Sequence, residues 1–150
     1  MWKYMENSGL HDIPKIERDN ITSLISNVLN RDEDVVFAYL YGSFIGDNPF
    51  RDIDIFAYLR NGENPFADAV RIKERVFDAL VNAGFNKFAV DDIDVRVIND
   101  SSYDFAIDLL SDGLLIVDKD PELRTDYIEQ VSDEYRVNYF ILDEAYGEGR

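Results

Sequence analysis

The chain has 150 residues, 46% of them hydrophobic, with no cysteine and one histidine, and its 31 acidic against 15 basic side chains leave a net charge of −16. Without cysteine there are no disulfides, no thiolate catalysis and no cysteine zinc sites, in keeping with a reducing, cytoplasmic setting. No apolar run approaches the roughly 20 residues that span a bilayer, the start lacks the apolar stretch of a signal peptide, and so acidic a chain argues against direct binding to a phosphate backbone.

No linker divides the sequence, so a single domain over residues 1–150 is expected. Ile16, Ile21, Leu24, Ile25, Val28 and Leu29 recur at spacings of three and four, which predicts an amphipathic helix from Pro14 to Asn30. Val35 to Tyr41 is a continuous apolar and aromatic run, read as a buried central strand that ends at Gly42-Ser43. A second strand is expected from Asp52 to Leu59. Asn64 and Pro65 supply a cap and a first-turn proline for a helix expected to bury Phe66, Ala69, Val70, Val76, Phe77, Leu80 and Val81, and Gly84 suits its end.

A third strand surrounds Asp94. Ser101-Ser102-Tyr103-Asp104 reads as a capping box for a helix that stops at Gly113. Leu114 to Val117 forms a short strand, after which Asp120-Pro121-Glu122 opens an acidic helix over about 121–146. Leu123, Tyr127, Val131, Tyr135 and Leu142 make its apolar stripe, and Tyr139 and Tyr146 are read as exposed. The last fifty residues hold 13 acidic and 4 basic side chains, the most acidic third of the chain. Strands alternating with helices predict an α/β fold, a mixed sheet of about four strands packed with helices.

The chemistry concentrates between the first two strands. Side chains on a strand alternate faces, so Asp52 and Asp54 project together while Ile53 and Ile55 point into the core. Paired carboxylates suit Mg²⁺, a hard ion that takes oxygen ligands and accompanies nucleotide phosphates. Gly42 lets a phosphate approach the backbone closely, and Ser43 adds a hydroxyl and an amide that can hold it. The bland reading is a Gly-Ser turn before a solvated edge strand; the pairing of both features at short range favours the site. His11 is assigned surface or capping duty.

Gly42-Ser43 followed by Asp52-x-Asp54 resembles the signature of the polymerase-beta-type nucleotidyltransferase superfamily, and the short chain is similar to its minimal nucleotidyltransferase (MNT) branch. The resemblance implies a third carboxylate from a later strand. Asp92 and Asp94 share a face there, and Asp94 is preferred because Ile93, Val95 and Val97 form the opposite, core-facing row. On this resemblance Gly42 and Ser43 bind the nucleotide, while Asp52, Asp54 and Asp94 are catalytic and hold two Mg²⁺ ions with ATP as substrate. Arg51 can reach phosphate only from the loop. Arg96 shares the face of Asp94 and either meets substrate charge or pairs with a neighbouring aspartate.

Chains of this branch resemble MntA-like antitoxins of HEPN/MNT toxin–antitoxin systems, which implies transfer of AMP to a tyrosine of a basic HEPN-type toxin. Two alternatives stand beside it: adenylylation of a small hydroxyl compound, and a fold that neutralises its partner by contact alone. The eight residues between Ser43 and Asp52 make a loop shorter than the family's usual one, which favours the contact-only alternative.

Overall fold

The computed structural model describes residues 10–146, with the side chains of the last helix described as far as Tyr139. Helix α1, Lys15–Arg31, starts after Pro14 and buries Ile21, Ile25 and Leu29. Ile16, expected on that face, is 71% exposed because, at 3.6 residues per turn, it lies half a turn round the helix from Ile25. Strand β1, Val35–Tyr41, is buried along nearly its whole length, as a continuous apolar run requires of a central strand. It pairs antiparallel with β2, Ile53–Leu59, on one side and with β4, Leu114–Asp118, on the other.

The third strand, β3, Ile93–Val97, pairs parallel with β2, so the sheet is mixed, in the order β3-β2-β1-β4. Parallel pairing needs a crossover. Helix α2, Pro65–Asn82, makes it, capped by the Asn64 side chain and closed by Gly84 at φ +93. Its buried residues are Ile72, Val76 and Leu80. Phe66, Val70 and Val81, expected inside, are exposed. Counting apolar residues on α2 misjudged which stripe meets the sheet, since residues four apart from Ile72 to Leu80 define the contact line.

Helix α3, Tyr103–Asp112, begins at Ser102 without the expected side-chain cap and stops at Gly113. Helix α4, Pro121–Tyr146, is capped by Asp120, whose carboxylate accepts the Leu123 amide at 3.0 Å. Tyr127 and Val131 are buried and Tyr139 is exposed, all as expected, whereas Tyr135 is exposed and leaves the predicted stripe. The side chains of Leu142 and Tyr146 lie outside the described residues.

Two cores result, one on each face of the sheet. Helices α1 and α2 cover Ala38, Leu40, Ile53, Ile55 and Ile93. Helices α3 and α4 cover Phe37, Tyr39 and Phe56. Alternation along β2 and β3 then directs Asp54, Asp94 and Arg96 to the α3–α4 face, at the end where β1 delivers Gly42.

Candidate active site

Register brings the carboxylates together. Asp54 and Asp94 are direct partners across the parallel β2–β3 pair, roughly 5 Å apart at the backbone, and Tyr41 lies opposite Asp54 on β1. Asp52 stands one residue ahead of β2, exposed rather than within the strand as expected. Its charge still reaches Asp54: burial, then the charges of Asp94 and Asp52, push the Asp54 carboxyl up to about 6, while Arg96 pulls it down. The three aspartates therefore share one electrostatic field.

Gly42 meets that field directly. Its φ of +97 is a conformation L side chains rarely adopt, and a Cβ there would lie 2.9 Å from Asp54 Oδ2. Any side chain there would have to displace the Asp54 carboxylate. Ser43 follows, exposed, at the head of a 3₁₀ turn over Ser43–Ile45.

Hydrogen bonding sets Asp92 apart from Asp94. Asp92 closes a turn before β3, where its carboxylate accepts the Ala89 amide at 2.8 Å and lies 3.2 Å from His11 Nε2. Both contacts fall on one of its oxygens, Oδ2. His11 is correspondingly more than a surface residue: its backbone bridges Phe50 and its ring packs against Phe50 and Phe88, pinning the N-terminal segment beneath the loop. Among the described residues Asp94 pairs with Arg96 alone, Nε at 3.6 Å from Oδ2, so the pairing alternative holds for Arg96. Arg51 is exposed on the loop.

Among the described residues no three acidic or imidazole groups are already drawn close enough to encircle one ion. The donors at this end of the sheet are nevertheless all carboxylate oxygens, and their mutual repulsion, read on Asp54, is what a divalent cation would relieve. In donor type and charge the residues fit Mg²⁺.

One residue at the site escaped the sequence reading. Arg18 of α1 is 5% exposed and holds the loop after Ser43 by its backbone carbonyls. The signal was present: Arg18 precedes Ile21, Ile25 and Leu29 at helical spacing, a cation placed on the apolar stripe.

A mixed four-stranded sheet with helices on both faces, carrying a carboxylate pair across its parallel strands and a positive-φ glycine beside one of them, is an α/β fold with an acidic site at one end of the sheet. The family model described as Polymerase beta, Nucleotidyltransferase matches residues 24–122, and the chain belongs to that family. No curated protein matches the sequence significantly. Among solved structures, the fold is similar to a chain in the complex of tri-AMPylated Shewanella oneidensis HEPN toxin with MNT antitoxin, at TM-score 0.57 and 13% identity, covering 89% of this chain and 96% of that one. It is similar also to a chain of the toxin–antitoxin MntA-HepT, at TM-score 0.56 and 13% identity, covering 90% and 97%.

Proposed function

We propose that this protein transfers AMP from ATP to a tyrosine hydroxyl of a basic HEPN-type toxin and so acts as its antitoxin. The observation that carries the reading is the placement of Gly42, at φ +97, beside Asp54, which partners Asp94 across the parallel strands, so that bare backbone adjoins paired carboxylates. Likeness of fold to MNT chains solved with HEPN toxins supports the choice of partner. The acidic last third supports a basic one.

In this reading Gly42 and Ser43 hold the β and γ phosphates, and Asp52, Asp54 and Asp94 are the residues that would hold two Mg²⁺ ions. The metal, when bound, supplies charge neutralisation at the phosphates and stabilises the attacking and leaving oxygens of an in-line displacement. Asp94 faces the acceptor and takes the proton of its hydroxyl. The tyrosine oxygen then forms a bond to the α-phosphorus, the bond from that phosphorus to the β-phosphate oxygen breaks, and pyrophosphate leaves with the electron pair. Arg96 keeps Asp94 oriented. Such a reaction draws on cytoplasmic ATP.

The test is incubation of the protein with Mg²⁺, labelled ATP and a HEPN-type toxin encoded beside it. Label is expected on a toxin tyrosine, lost in Asp94→Asn while the complex still forms. Full neutralisation by Asp94→Asn with no label on the toxin would mean that contact alone is the function; label on a small hydroxyl compound instead would redirect the assignment of acceptor.

A further inference from the structure

Arg18 is buried, makes no ion pair among the described residues, and spends its guanidinium on backbone. Its Nε donates to the Ile13 carbonyl at 2.8 Å. One terminal nitrogen donates to the carbonyls of Ser43 at 3.4 Å, Phe44 at 3.2 Å and Gly46 at 2.8 Å, and the other to Asn48 at 2.9 Å. The guanidinium carbon also lies 4.8 Å from the centre of the Phe50 ring. Burying a charge without a counter-ion is costly, so the site must satisfy it completely with dipoles. Here those dipoles come almost entirely from one turn.

The turn is reshaped by that demand. The C=O and N–H of a peptide unit point in opposite directions, so turning the Ser43 and Gly46 carbonyls toward Arg18 directs the amides of Phe44 and Asp47 away from it. The amides between them, of Ile45 and Gly46, are spent inside the turn on the Gly42 and Ser43 carbonyls at 3.3 and 3.1 Å, so Phe44 and Asp47 supply the outward donors for an anion, with a fixed positive charge behind them. A longer loop could reach such a shape by its own hydrogen bonds; this one has eight residues between Ser43 and Asp52.

We propose that Arg18, which itself precedes the family-matched residues 24–122, is the positioning residue of the phosphate-binding turn, its buried guanidinium shaping Ser43–Asn48 to receive a triphosphate. The inference rests on the nucleotidyl-transfer reading and adds the source of its phosphate grip. Arg18 touches no substrate; it acts through the carbonyls it holds.

Calorimetry with Mg²⁺ and either ATP or adenosine tests this, using the full chain and Arg18→Lys, which keeps the charge and loses the fork of donors. Arg18→Lys is expected to weaken ATP about tenfold or more, the scale of a lost charge-assisted hydrogen bond, and to leave adenosine nearly unchanged. Equal loss for both ligands, or unaltered ATP affinity in a folded variant, would overturn the proposal. Should the variant fail to fold, amide spectra of the parent titrated with Mg²⁺ and inorganic triphosphate decide: shifts at Phe44, Asp47 and the Arg18 Nε–H support it, and their absence beside shifts at Asp54 refutes it. A parent that binds no ATP at all removes the nucleotidyl-transfer reading itself, and this proposal with it.

Discussion

At the scale of single residues, the site is held in tension. The raised Asp54 carboxyl, near 6 against an ordinary value of 3.8, means the folded metal-free protein binds a proton that the unfolded chain has already released between those values. Stability attributable to Asp54 therefore falls as pH rises from about 4 to 6 and stays lower above. Asp54→Asn should raise the melting temperature at pH 7.5 and leave it nearly unchanged at pH 3.5, while abolishing Mg²⁺-dependent ATP binding; calorimetric melting at the two pH values with a parallel titration checks both. A higher melting temperature at pH 3.5 only would contradict the sign. Gly42→Ala asks a different question. With φ at +97 and the Asp54 oxygen 2.9 Å from the new methyl, the substitution should cost about 1–3 kcal/mol in urea unfolding and displace the carboxylate enough to weaken ATP.

Among the elements, position on the sheet outweighs residue type. Ile25 is fully buried on α1 while Ile16, on the same helix, is 71% exposed. Ile25→Ala should lose about 2–5 kcal/mol of unfolding free energy and Ile16→Ala less than about 0.5, both read from denaturant midpoints at equal slope. Comparable losses would mean that α1 packs by a different face. Helix α4 is tied across the second core in a similar way. The Tyr127 hydroxyl donates to the Ile98 carbonyl at 3.0 Å, and its ring lies against Phe37 and Tyr58. Because the Ser101 amide also reaches that carbonyl, Tyr127→Phe leaves no orphaned acceptor and should cost only about 1 kcal/mol.

The whole molecule carries −16, and its last fifty residues hold 13 acidic side chains. Asp126, Glu129, Asp133 and Glu134 are exposed on α4, where their field extends about 8 Å at physiological ionic strength. Rim charges chiefly set association rate. Replacing the four with Asn or Gln should slow association with a basic toxin at low salt, leave dissociation nearly unchanged and spare ATP binding. Stopped-flow mixing across a salt series would show it; an association rate indifferent to both salt and substitution would leave these charges a solubilising role and put the docking surface elsewhere.

Local pattern determined much of this protein. Alternation on β2 and β3 showed which face carries Asp54 and Asp94 and which is apolar, and a continuous apolar run made β1 central, because period and burial are written residue by residue. Gly42 was legible for the same reason: a strand that stops at Gly-Ser needs a backbone few residues adopt. What only the tertiary structure decided were relations between distant segments. Asp92 was indistinguishable from Asp94 by face until His11, 81 residues away, and the Ala89 amide were seen to occupy it. The outward stripe of α2 depended on where the sheet lay. The spacing of Arg18 puts a cation on the apolar stripe, but nothing within α1 reveals that carbonyls some 25–30 positions later will converge on it. Sequence periodicity reports which side of an element is buried; the partner that satisfies a buried charge is chosen only when the chain folds back on itself.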